Sequence, residues 1–219
     1  ITYGDWSSDV CSSDLCFVVD ENGALVTPSA LTALIAAREL VKNPGAPVIY
    51  NLICSKAVPE VIRESGGVPL KSRVGHSFIK TMMADHGAIF GGEHSGHFYF
   101  KDFWRADSGM LAALHAIAAV MESGKSLSEL LKTYNRYVLS GEINTQVADQ
   151  ASAVASIRSH FDNSGEDVEF DELDGLTVSA STWWFNVRSS NTEPLLRLNV
   201  EADNQALRSE EHTSELQSP

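Results

Sequence analysis

Short apolar runs alternate with longer amphipathic stretches over the first two thirds of the chain. Residues 16–20 (CFVVD) read as a buried strand, 21–23 (ENG) as a turn whose Asn-Gly tolerates positive φ, and 24–26 as the returning strand. Thr27 then caps a helix with Pro28 at its first position and Leu31, Leu34, Ile35 and Leu40 on one face. Residues 48–53 and 68–70 are short apolar strands around a helix ending near residue 64. A further helix over 77–85 leads to a strand at 88–90, and the Ala- and Leu-rich stretch 107–122 forms a long helix. Residues 127–137, capped by Ser126, form an exit helix. Strands alternating with helices imply right-handed crossovers and a mixed, mostly parallel sheet.

The spacing changes after residue 140. Strands are expected at 142–147, 176–179, 184–187 and 195–200, with one helix near 151–160 and the start of a closing helix at 203–207. The expected fold class is therefore α/β for the earlier units and a small α+β domain at the C-terminal end.

Composition narrows the function. A net charge of −13 disfavours nucleic acid, whose phosphates would be repelled over most of the surface. No apolar run reaches the roughly 20 residues needed to cross a bilayer, so no membrane partner is expected. Cys11, Cys16 and Cys54 are too few and scattered for a disulfide framework or a zinc cluster, which makes a reducing cytoplasm the default location.

The two ends read differently from the rest. Residues 208–218 (RSEEHTSELQS) and 5–15 (DWSSDVCSSDL) can be encoded by opposite strands of one DNA string, a sequencing-library adapter. Residues 1–15 and 208–219 are therefore expected to be a non-native leader and tail, and are set apart from fold reasoning. Between them we expect a remnant domain over 16–46, a domain over 47–138 and a C-terminal domain over 139–207.

Three segments carry candidate chemistry. Residues 188–192 (RSSNT) are the densest donor cluster, placed between two apolar strands. The arginine fork, hydroxyls, amide and turn N–H groups suit phosphate, although a polar hairpin tip has the same look. Residues 91–97 (GGEHSGH) form a glycine-rich loop where Glu93 could accept two hydroxyl protons from one sugar ring. His94 and His97 lack a third ligand nearby, so no metal site is assigned. Ser95 lacks the flanking glycines of a nucleophile elbow, which ranks a hydrolase last. Residues 72–77 (SRVGHS), with Lys80 one turn further on, offer cations for a phosphate, and His76 could shuttle a proton.

Taken together, GGEHSGH and RSSNTEP resemble the α-D-phosphohexomutase superfamily, closest to its phosphomannomutase/phosphoglucomutase branch. The similarity extends through VVDENG, RVGHSFIK, KDFW, SGEIN and LLRLNVEA. The resemblance implies an isomerase, an intramolecular phosphotransferase of carbohydrate metabolism, that moves phosphate between the 1- and 6-positions of mannose or glucose through a bisphosphate intermediate. It implies that Glu93, Ser95 and His97 hold sugar hydroxyls and that Arg188, Ser190, Asn191 and Thr192 hold the phosphate not being transferred. His76 and Lys80 match positions lining the site in relatives and are the catalytic candidates. The partner implied is a hexose phosphate.

Two parts of the family pattern have no match. The phosphoserine loop belongs to a first domain not found in this sequence. The Mg2+ ion implied for the full-length family needs an aspartate-rich loop directly before Cys16, where adapter-like residues 12–15 stand instead. The chain is thus expected to be an inactive fragment of a mutase, with a non-catalytic phosphosugar-binding protein as the alternative.

Overall fold

The computed structural model describes residues 14–190 and 194–203. The chain divides into two compact units, Ile1–Asn135 and Arg136–Pro219. No helix among the described residues is long and apolar enough to cross a membrane.

The first unit opens with an irregular stretch and α1 (Pro28–Lys42). The Thr27 hydroxyl accepts the Ala30 N–H at 3.2 Å, and Pro28 occupies a first-turn position where its missing donor costs nothing. Then follow β1 (Pro47–Asn51), α2 (Ala57–Glu64), β2 (Val68–Ser72), α3 (His76–His86), β3 (Phe90–Gly92), β4 (Phe98–Phe100), β5 (Ala106–Asp107), α4 (Gly109–Ser123) and α5 (Leu127–Leu131). The sheet runs β2-β1-β3-β4-β5, with β1 parallel to β2 and β3 and the last two strands antiparallel. Leu31, Leu34 and Ile35 of α1 share one core with Val48, Val58, Ile62, Phe90, Phe98 and Ala112. A second cluster, Ile49, Ile79, Met83, Ala88 and Tyr99, is assembled from α3 and the sheet. That cluster sets the orientation of the helix carrying Lys80.

The second unit contains β6 (Val138–Gln146), α6 (Gln150–Ser164), β7 (Glu169–Asp171), β8 (Leu176–Ser179), β9 (Trp183–Ser189) and β10 (Leu195–Ala202). Its sheet is antiparallel throughout, in the order β6-β10-β9-β8-β7. Asp149 caps α6, and Phe161 on that helix packs against Trp183 and Phe185 at ring-centroid distances of 5.6 and 5.4 Å. Both units therefore have the expected class: a mixed α/β unit with its parallel core, then an antiparallel α+β unit.

Several boundaries differ from the sequence expectation for local reasons. The strand pair at 16–20 and 24–26 shrinks to a single bridge between Val19 and Leu25. Asp20 still closes the turn by accepting the Asn22 and Ala24 N–H groups. Phe17, Val19 and Leu25 remain exposed on one face, while Cys16 and Val26 on the other are buried in the core without further strand pairing. The long helix starts at Gly109, because Ser108 caps it through the Leu111 N–H and leaves Asp107 in a strand. The exit helix stops at Leu131, where the Tyr134 and Asn135 amides both return to the Leu131 carbonyl and close it as a turn. The closing helix expected at 203–207 lies outside the described residues beyond Asp203.

Candidate functional site

In the first unit, residues 91–97 form the tip of the β3–β4 hairpin. Gly91 pairs with Tyr99 and Gly92 with Phe98, and the Glu93 N–H donates to the His97 carbonyl at 2.9 Å. Gly96 turns the chain at φ +93, a conformation L side chains rarely adopt. Gly92 serves closeness instead: a Cβ there would lie 2.4 Å from Thr32 Cγ2 on α1. The helix thus sits against bare backbone directly beneath the polar residues.

Glu93 is 3 % exposed, yet its carboxylate is well supplied with donors. Oε1 accepts the Gly75 N–H at 3.1 Å, and Oε2 accepts the Ser95 hydroxyl at 3.1 Å and the Tyr99 hydroxyl at 3.4 Å. Burial and the nearby Glu93 and Asp107 carboxylates push the Tyr99 phenol well above its ordinary range, which keeps it a donor. The Gly75 bond also ties the sugar-loop carboxylate to the turn before α3, whose first residue is His76. His76 itself is exposed.

His97 and Lys80 meet at a residue that sequence reasoning had read only as the start of a helix. Asp107 Oδ2 lies 3.1 Å from His97 Nδ1, and Oδ1 lies 3.0 Å from Lys80 Nζ. The hydrogen bond to Asp107 raises the His97 pKa against the effect of burial. Burial alone would raise the Asp107 carboxyl, but the bonds from His97 and Lys80 outweigh it and hold it below the usual carboxylate range. Lys80 Nζ also stands 5.7 Å from the centre of the Tyr99 ring, within cation–π range.

His94 points to a different task. Its Nδ1 lies 2.9 Å from the buried Ser29 hydroxyl, and its N–H donates to Asn51 Oδ1 at 3.3 Å. The Cys54 thiol donates to the same Asn51 oxygen at 3.0 Å, with burial pushing its pKa up to about 12. This network fastens the loop to α1 and β1 with a neutral thiol. Among the described residues no three His, Cys, Asp or Glu side chains gather into a group able to hold a metal ion. Among the described residues no set of side chains fits the magnesium ion that the family resemblance implies.

In the second unit, Arg188 on β9 stands directly opposite Arg197 on β10. Like charges in that position repel, and Glu142 on β6 lies between them. Its Oε2 is 3.2 Å from Arg188 Nη2 and its Oε1 is 2.9 Å from Arg197 Nη1. The Ser190 N–H donates to the Leu195 carbonyl at 2.8 Å, and its hydroxyl is 3.5 Å from Arg197 Nη2. Arg188 Nε is buried and finds no acceptor among the described residues. The arrangement concentrates two guanidinium forks and a serine at one end of a hairpin. Asn191 and Thr192 lie outside the described residues.

Sequence reasoning passed over Asp107, Tyr99, Glu142 and Arg197. Asp107 precedes a good N-cap, and Tyr99 sits within an aromatic run that reads as core. Glu142 lies in SGEIN and Arg197 in LLRLNVEA, but the cross-strand contact that joins them is set only by the register of the sheet.

Residues 27–137 match the alpha/beta/alpha domain III of phosphoglucomutase/phosphomannomutase, and residues 142–213 match the C-terminal domain of the same family. A phosphomannomutase of Methanocaldococcus jannaschii is 47% identical over 188 residues, covering 86% of this chain and 41% of that protein. A phosphomannomutase of Escherichia coli K12 is 40% identical over 190 residues, covering 86% of this chain and 41% of that protein. The chain thus spans well under half the length of these curated relatives. A solved structure of a phosphoglucomutase/phosphomannomutase family protein from Burkholderia thailandensis superposes with a TM-score of 0.80. It is 31% identical, and the match covers 90% of this chain and 42% of that one.

Proposed function

This chain belongs to the phosphoglucomutase/phosphomannomutase family, and from that premise we propose that it supplies the sugar grip and phosphate clamp of a phosphohexomutase. The reaction is the interconversion of hexose 1-phosphate and hexose 6-phosphate, of glucose or mannose, through a bisphosphate intermediate. The observation that carries the reading is the buried Glu93 carboxylate, held by Ser95, Tyr99 and the Gly75 amide at a glycine-flanked hairpin tip.

The chemistry follows from that geometry. A hexose hydroxyl donates to Glu93 Oε2, joining or displacing the Ser95 hydroxyl, which then turns to the sugar. Such bonds hold the ring without reference to which end carries the reacting phosphate. A grip that reads hydroxyls away from C2 accepts glucose and mannose alike, since they differ only there. Arg188, Ser190, Asn191 and Thr192 hold the phosphate that is not reacting, with the Arg188 fork matching two of its oxygens. His76 and Lys80 remain the catalytic candidates, and His97, beside holding a sugar hydroxyl with Glu93 and Ser95, is able to exchange a proton with it.

The matched residues 27–137 and 142–213 carry the proposed sugar grip and phosphate clamp, so ligand binding is the property to measure on this chain. Calorimetric titration with glucose 1-phosphate tests the assignment. Arg188→Ala should weaken binding roughly ten- to hundredfold, the range for losing a charged hydrogen-bond donor. Unchanged affinity in that variant would remove Arg188 from the phosphate site.

A further inference from the structure

Within the first unit, the two groups best suited to move protons converge on a third that the hexose-phosphate reading leaves without a role. His97 lies in the hairpin loop and Lys80 on α3, and neither touches the other in any contact described above. Asp107 on β5 touches both, one carboxylate oxygen to each, at 3.1 and 3.0 Å. Its side chain is 13% exposed and that of His97 17% exposed, so water competes little for that bond, whereas the Lys80 side chain is 42% exposed and its bond is open to solvent on one side.

The backbone leading to Asp107 is unusual. Trp104 and Arg105 adopt φ of +53 and +56, two consecutive non-glycine residues in the left-handed region. Such backbone is disfavoured for L residues and persists where the surroundings fix it, often beside functional groups. Here the Arg105 N–H donates to the Phe100 carbonyl and the Ala106 N–H to the Phe103 carbonyl. The loop closes tightly, and β5 then pairs Asp107 with Tyr99.

We propose that Asp107 is the positioning residue of this site, fixing the tautomer of His97 through one oxygen and the place of the Lys80 ammonium through the other. The proposal rests on the hexose-phosphate reading for its purpose, but not for its test. With Nδ1–H donated to Asp107, the neutral imidazole keeps its lone pair on Nε2, which becomes the nitrogen that takes or returns a proton. When His97 is protonated, Asp107 balances the imidazolium. Lys80, held at the other oxygen, keeps further N–H donors for a developing oxyanion. A single carboxylate thereby sets which atom of each cation faces chemistry.

The charged and titratable groups around His97 are Asp107 from β5, Glu93 from the loop, Asp14 from the leading stretch, Lys80 from α3 and Tyr99 from β4. The carboxylates favour its charged form, and burial opposes them. Asp107 is the one that bonds its ring directly.

The test is nitrogen-15 NMR of the imidazoles in this chain across pH, with no ligand present. His97 should show the Nδ1–H tautomer when neutral and titrate above the ordinary histidine value. Asp107→Asn should lower that value by about one unit or more, the shift expected for losing an adjacent opposite charge. It should also let the Nε2–H tautomer appear. Asp107→Glu should retain part of the elevation. His115 on α4, whose pKa is lowered chiefly by burial, is the internal control for intact packing. In the unmodified chain, an Nε2–H tautomer or a titration below the ordinary value would overturn the proposal, even if Asp107→Asn failed to fold. So would an Asp107→Asn variant that left His97 unmoved while His115 kept its shift. Failure of hexose-phosphate binding by calorimetry would leave these readouts intact, so the two claims fail separately.

Discussion

The glycine-rich loop of the first unit and the Arg188 hairpin of the second, proposed above to bind sugar and phosphate, gather polar groups by opposite means. At residues 91–97 the central charge is a buried carboxylate, and neutral donors from three segments surround it. At residues 188–190 the central charges are guanidinium groups, and a carboxylate of the same sheet occupies the space between them. The first is a preformed acceptor that a hydroxyl can join. The second is a cation pair whose internal counterion an anion must replace. The contrast teaches that a buried carboxylate is kept in place by fixed neutral donors, whereas paired guanidinium groups on one sheet are kept in place by a carboxylate shared between them.

Breaking the packing under the sugar loop should have the largest effect. Gly92→Ala would place a methyl group 2.4 Å from Thr32 Cγ2 and 2.5 Å from its hydroxyl. Thr32 is fully buried and donates to the Pro28 carbonyl, so it has little room to yield. We expect a loss of about 1–3 kcal/mol, the usual cost of overpacking a filled core. Amide exchange protection should fall in β1 and β3 and stay unchanged in β9 and β10. Equal loss in β9 and β10 would mean that the effect is not local to the packing of Gly92 on Thr32.

A smaller effect should follow from removing the internal counterion. Glu142→Gln removes the carboxylate charge that bonds both Arg188 and Arg197. Binding of inorganic phosphate, read by calorimetry, should strengthen about three- to tenfold, the scale of a partly exposed ion pair of roughly 1 kcal/mol. Weaker binding would mean that Glu142 orients Arg188 rather than competing for it.

The smallest effect concerns pH and belongs to the first unit. The folded pKa of His97 is raised, so its bond to Asp107 contributes stability fully below the ordinary histidine value of about 6.5. That contribution is lost as pH rises through the folded pKa. His115 works in the opposite sense, because burial lowers its pKa and favours the neutral ring. The stability difference between the unmodified chain and Asp107→Asn isolates the first term. It should be greatest at pH 5–6 and shrink as His97 loses its proton, as followed by urea unfolding of first-unit amides. A constant difference across pH would assign the effect to Lys80 alone.

The parts of the fold legible in the sequence are those that local periodicity dictates. Thr27-Pro28 announces α1, and the 176–179 strand falls where alternation places it. The short antiparallel strands β4 and β5 were not legible, because three and two residues carry too little periodicity and their pairing depends on the loop at 101–105. The same holds within the site. Glu93, Ser95 and His97 stand out in a glycine-rich run, and Arg188 and Ser190 in a donor-rich turn. Asp107 could not be told from a helix start, since Ser108 after it is a sound cap and the two cations it meets come from other elements. Glu142 was hidden for a related reason: its bonds to Arg188 and Arg197 depend on which strands become neighbours in the sheet.

The central claim is that the loop at residues 91–97 binds hexose hydroxyls within the first unit and that Arg188 and Ser190 bind phosphate within the second. Amide NMR of this chain titrated with glucose 1-phosphate tests it most directly. The account predicts saturable shifts at Gly91, Gly92, Ser95 and His97 together with shifts at Arg188 and Ser190, and selective loss of the latter in Arg188→Ala. Spectra unmoved at both loops by millimolar ligand would contradict it.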